Sequence, residues 1–131
     1  MAKKVVLTGV VVFIAWSAMD YVLHGMLLQN AYKETAALWR PMAEMKNGVL
    51  SIVAIISALT LVYVYATMVS QKSMTNALKY SLILGLGMAV SFAYGSYAVM
   101  PVPYSMALSW FLGSLAEFAV AGAIIGLMVK E

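Results

Sequence analysis

The chain has 131 residues, 64% hydrophobic and 10% charged, with a net charge of +3 and no cysteine. Soluble domains run at about 45–50% apolar and about 25% charged. This composition therefore excludes a water-soluble fold, which at this length could not hide so much apolar surface, and the missing cysteine excludes disulfides and thiolate metal or redox sites.

Met1-Ala-Lys-Lys followed by an apolar stretch has the beginning of a secretory signal, but the apolar run continues to Leu28. That is long enough to span a core of about 30 Å at about 1.5 Å per residue, and residues 5–29 read as the first membrane helix. Residues 30–46 are too polar to span. Residues 35–39 suit a short interfacial helix, with Tyr32 and Trp39 at headgroup level and a break at Pro41. The segment reads as an aromatic-belt loop, with a lid or docking surface as the functional alternative. A charge-free Val/Ile/Leu-rich run over 49–69 gives the second span, and a short basic connector leads to the third over 77–99. Met100-Pro-Val-Pro makes a tight turn. Ser105 suits the N-cap of a fourth helix, 105–129. The expected fold is all-α: an integral membrane four-helix bundle of two helical hairpins, one transmembrane domain over 1–131, with a short interfacial segment between helices 1 and 2.

Three ionisable residues fall inside spans: Asp20, His24 and Glu117. A charge at mid-helix costs roughly 2.5–3.5 kcal/mol on insertion scales, so such groups turn toward protein or water. Asp20 and His24 are four apart and share one helix face. The helical rise places Asp20 about 22 Å and His24 about 28 Å from the start of the first span, and Glu117 about 18 Å into the last. If the first and last helices touch, the three lie within reach of one space. Ser17, Ser91, Tyr94 and Ser114 are candidates to line it. The cluster reads as a proton or ion site, since histidine changes charge near neutral pH, or else as structural hydrogen bonding.

Small residues at spacing four mark close helix packing. Gly87, Ser91 and Gly95 form such a stripe on the third span, and Gly122 and Gly126 a pair on the fourth.

With four spans both termini share a side. That side carries Lys3, Lys4, Lys72, Lys79 and Lys130 against Glu131; the other carries Lys33, Arg40 and Lys46. Five against three places both termini in the cytoplasm by the positive-inside rule. The basic residues sit in connectors without a basic-aromatic strip, so no nucleic-acid partner is expected.

Asp20, His24 and Glu117 have metal-ligand chemistry. With one histidine, no cysteine and no Glu-x-x-His pattern, no metal or other cofactor is expected. Gly-rich phosphate loops, Gly-x-Ser-x-Gly and His-Glu-x-x-His are missing too, and no catalytic residue is expected. Through Asp20-Tyr-Val-Leu-His-Gly, Leu38-Trp-Arg-Pro-Met and Pro101-Val-Pro-Tyr, the chain resembles uncharacterised small four-span bacterial inner-membrane proteins. The resemblance implies a bacterial plasma-membrane location and transfers no catalytic residue. The function expected first is helix association in the lipid bilayer, as a homo-oligomer or an accessory subunit of a membrane complex. The alternative is a small proton, cation or solute channel or transporter using the Asp20/His24/Glu117 cluster.

Overall fold

A run this apolar has few side chains that can satisfy its backbone, so its N–H and C=O groups close on one another as helix. The computed structural model describes residues 1–130, and no strand occurs among them. Glu131, counted above among the charges of the terminal side, lies outside the described residues. The helices are α1 (Ala2–Asp20), continued by a π-helical segment (Tyr21–Leu27), α2 (Gln29–Glu34), α3 (Asn47–Met68), α4 (Met74–Val99) and α5 (Tyr104–Met128). Single 3₁₀ turns at Ala36–Leu38 and Met42–Glu44 complete the first connector.

Four of these stretches are long and apolar enough to cross a membrane: Ala2–Leu27, α3, α4 and α5. Ile14, Ile52, Ile83 and Leu127 are each more than half exposed, so apolar side chains point outward as well as inward and the helices are not amphipathic in the manner of a surface helix. Two start signals differ from expectation. Ser73 caps α4, accepting from the Asn76 N–H at 3.0 Å, so that helix begins three residues before 77. On α5 the cap position is Pro103, with no side-chain hydrogen bond. The fixed φ of Pro103 sets the entry, and the Ser105 carbonyl instead accepts the Ser109 hydroxyl at 2.8 Å.

α4 and α5 pack most closely. The buried face of α4 is Ala77, Ser81, Gly85, Ala89 and Ala93, small residues spaced by four. Against it lie Gly122 and Gly126: a Cβ at Gly122 would sit 3.2 Å from the Ala77 carbonyl and the Leu78 Cα, and one at Gly126 would sit 2.7 Å from Met74 Sδ. Without side chains at these points dispersion contacts extend to the backbone, which is what holds helices together in an apolar medium. The Gly87–Ser91–Gly95 stripe singled out in the sequence is exposed, and a Cβ on either glycine would meet nothing within 4 Å.

α1 lies between α3 and α5. Val5, Thr8, Gly9, Val12 and Trp16 are its buried residues, and a Cβ on Gly9 would approach Leu59 Cδ2 to 2.5 Å. α3 buries only its second half, from Ala58 to Ala66. It meets α4 beside their connecting turn, where the Tyr80 hydroxyl donates to the Leu61 carbonyl at 2.6 Å and Tyr65 is bonded to Ser73.

Two apolar clusters result, one at each end. The first gathers Val5, Tyr65, Ala77 and Val129 near the termini and the α3–α4 turn, and extends inward to Trp16 and Phe118. The second gathers Leu28, Val102, Met106 and Trp110, with Leu23, Tyr32 and Trp39 against it, at the end of the two other connectors. Between them, on α1 and α5, lies the level of Asp20 and Glu117.

Candidate functional site

α5 is held to its neighbours at two consecutive carbonyls. Trp16 Nε1 of α1 donates to the Glu117 carbonyl at 2.7 Å, and the Ser81 hydroxyl of α4 donates to the Phe118 carbonyl at 2.6 Å. Trp16 also packs on Phe118, ring centroids 5.5 Å apart. These contacts fix the height and rotation of α5 at the point where it presents Glu117. The Glu117 side chain is thereby set near Asp20 across the α1–α5 contact.

Asp20 is the last α-helical residue of α1. The following seven residues widen into a π-helix, closed by the Leu28 N–H on the Leu23 carbonyl at 2.9 Å. Such segments are rare and are frequent at functional sites. His24 Nε2 stands 3.9 Å from Asp20 Oδ1, with both side chains still partly open (36% and 45% exposed). That gap exceeds a direct hydrogen bond, so an intervening water or a rotation of Asp20 has to close it.

At Leu28 the helix breaks and α2 folds back. This return places the Tyr32 hydroxyl 2.6 Å from His24 Nδ1. The same hydroxyl accepts Trp110 Nε1–H of α5 at 2.7 Å. With the Trp110 N–H engaged, the hydroxyl keeps its own proton and a second lone pair, so it pairs with His24 Nδ1 in either tautomer of the imidazole. Thr35 and Trp39 hold the return in place: Trp39 Nε1 donates to Thr35 Oγ1 at 2.8 Å, and Thr35 donates to the Ala31 carbonyl at 2.8 Å. The Trp39 ring stands edge-on to both Tyr32 (5.4 Å) and Trp110 (6.0 Å). Tyr32 and Trp39 thus both pack on the protein while remaining partly exposed.

Of the residues singled out in the sequence, Asp20 lies near His24 on its own helix and near Glu117 on α5. Ser17 is exposed on α1, and Ser91 is exposed on α4. The Tyr94 hydroxyl pairs with that of Tyr104 at 3.0 Å, and its ring packs on Phe111. Ser114 is half-buried on α5 and shares no hydrogen bond with Asp20 or His24 among the described residues. Among those residues no three His, Cys, Asp or Glu side chains are grouped to hold a metal. Sequence reasoning missed Tyr32, Trp110, Trp16 and Ser81. The available signal was a tyrosine eight residues beyond the only histidine, across a break wide enough for a return.

Burial holds the Tyr32 hydroxyl above the ordinary tyrosine range; the hydrogen bond from Trp110 opposes this and the nearby Asp20 carboxylate adds to it. The stability that follows is complete below the unfolded tyrosine value of about 10 and is lost as pH rises through the higher folded value. Melting followed by circular dichroism in detergent should therefore show wild type losing stability faster than Tyr32→Phe between about pH 9 and 11. Parallel curves would contradict the buried hydroxyl.

Set against family models, curated proteins and solved structures, the chain matches none of them. Its function has to be read from these side chains.

Proposed function

We propose that the protein is a multi-pass membrane protein, a four-helix bundle of the bacterial plasma membrane with both termini cytoplasmic, in which the Asp20–Glu117 pair takes up and releases a proton within the bilayer. The observation that carries this is the position of Asp20, which lies near Glu117 on one side and faces His24 Nε2 on the other. Two neighbouring carboxyl groups hydrogen-bond to each other only through a proton, because two carboxylates offer acceptors alone. The pair then carries one negative charge, and a second proton makes it neutral. His24 delivers that second proton as imidazolium, giving up its Nε2 proton and remaining as neutral imidazole, and takes the proton back at Nε2 in the reverse step. Its Nε2 faces Asp20 while Tyr32, itself held by Trp110, positions the ring at Nδ1, and it lies at the end of the span, nearer the surface than Glu117.

The test is proton flux into reconstituted vesicles under an imposed pH gradient, read by an enclosed pH-sensitive dye. Glu117→Gln and Asp20→Asn should reduce flux to that of protein-free vesicles. Tyr32→Phe, which frees the imidazole to turn, should reduce it several-fold. Wild-type flux equal to that of protein-free vesicles would overturn the reading.

A second reading, helix association with another copy or with a larger membrane complex, is favoured by one observation: the Gly87–Ser91–Gly95 stripe is exposed with nothing opposite it. A face this smooth permits close approach of another helix. Gly87→Leu should shift a detergent-solubilised oligomer toward monomer on size exclusion with light scattering. An unchanged mass would remove this reading.

A further inference from the structure

The turn between α4 and α5 carries a cluster of tyrosines at the end away from the termini. Pro101 and Pro103 have fixed φ and flank Val102, which is 5% exposed and packs in the second apolar cluster. This rigid turn sets Tyr104, the first residue of α5, against Tyr94 and Tyr97 near the end of α4. The Tyr94 and Tyr104 hydroxyls pair at 3.0 Å, which ties the two helices together at this end. The Tyr97 ring stands at 77° to that of Tyr104, with centroids 5.7 Å apart. Two planes so set enclose a corner. Tyr97 and Tyr104 are 41% and 51% exposed, so the corner opens away from the protein. Leu108 and Leu112 follow Tyr104 on one face of α5, about 6 and 12 Å deeper by the helical rise, and both are exposed.

We infer that this corner holds the ammonium group of a zwitterionic phospholipid, with an acyl chain along Leu108 and Leu112. The inference rests on α4 and α5 being membrane spans and is independent of the proton site. The chemistry of the corner selects the ligand. Tyrosine rings present negative π faces, which attract a cation held within about 6 Å of the ring centroid. No charged residue stands between Lys79 and Glu117, so the hairpin end brings neither a carboxylate for a metal ion nor a base for an anion. A substituted ammonium group needs neither, since π faces alone recognise it, and in a zwitterionic headgroup the adjoining phosphate balances its charge.

Position decides between a lipid and a soluble ammonium compound. Tyr97 and Tyr104 stand where two long apolar helices end, the level at which tyrosines meet headgroups. Leu108 and Leu112 continue from Tyr104 down the helix and offer a surface that only a molecule with an apolar tail uses. The rigid turn and the hydroxyl pair hold the rings in place before the lipid arrives, so little conformational freedom is lost on binding.

The experiment is native mass spectrometry of the detergent-purified protein after equilibration with mixed micelles of equal phosphatidylcholine and phosphatidylglycerol. Wild type should retain phosphatidylcholine. Tyr97→Leu and Tyr104→Leu should each lower that retention about twofold to fivefold, the worth of one exposed cation–π contact. Tyr97→Phe should keep it, because the ring and not the hydroxyl holds the ammonium. The basic residues elsewhere attract phosphatidylglycerol in wild type and variants alike, so its retention should not change. Tyr97→Leu alters an exposed side chain and should leave melting and proton flux as in wild type. Phosphatidylcholine retained equally by wild type, Tyr97→Leu and Tyr104→Leu overturns the corner, and equal loss of both lipids overturns the ammonium assignment; either result leaves the proton site standing. Displacement of the lipid by equimolar phosphocholine, which has the headgroup and no acyl chain, overturns the lipid in favour of a soluble ammonium compound.

Discussion

Gly85→Leu should prevent α4 and α5 from packing, and with them the whole chain from reaching its folded state in detergent. A Cβ at Gly85 collides with Phe118 Cβ and would lie 2.5 Å from its Cγ. The near end of Phe118 is fixed to the α5 backbone, so no rotamer change relieves the contact and the helices themselves must part. Overpacking a tight core costs about 1–3 kcal/mol even when side chains can adjust, and here Gly85→Ala alone should reach that range. The larger side chain should leave aggregated or protease-sensitive protein. The comparison that gives the result meaning is Gly87→Leu, two residues away on the open face, which should retain wild-type melting. If Gly85→Leu melted like wild type, the placement of the 77–93 stripe against α5 would be wrong.

The second large effect belongs to Trp110, which is 2% exposed. It packs on Phe92 at 5.1 Å and edge-on to Trp39, and it supplies the hydrogen bond that turns Tyr32 toward His24. Trp110→Ala should cost roughly 3–5 kcal/mol, the usual range for truncating a buried aromatic, read as a drop in melting temperature by circular dichroism. Trp110→Phe separates the two roles. It keeps most of the packing and loses only the N–H, so its cost should be nearer 1 kcal/mol. Tyr32 is then free to rotate, and proton flux should fall although the fold survives. Equal losses of stability in the two variants would mean that the indole N–H, not the ring, holds this end together.

Much of the architecture was legible in the sequence. The four apolar runs mark the helices to within a few residues, because runs of that length and composition leave the backbone little choice but its own hydrogen bonds. The Asp20–His24 spacing and the depth of Glu117 follow from the rise of a helix. Their proximity does not. It depends on α1 lying against α5, and on Trp16 and Ser81 fixing two adjacent α5 carbonyls from opposite sides. The π-helical stretch was equally hidden, since its residues are as apolar as those of the α-helix before it.

The choice of face is where sequence reasoning stopped short. In a soluble helix, polar residues mark the outside. In these helices both sides are apolar, so polarity could not distinguish the buried stripe 77–81–85–89–93 from the exposed stripe 87–91–95. What decided between them was shape: Gly122, Gly126 and Phe118 of α5 fit against the first. In the same way the chain break at Leu28, and not the composition of the connector, brought Tyr32 back onto His24. The sequence by itself determined four long apolar helices and the depth of three ionisable groups along them. Only the tertiary structure decided which surfaces meet, because in an apolar setting helices recognise one another by packing and a few hydrogen bonds rather than by burial from water.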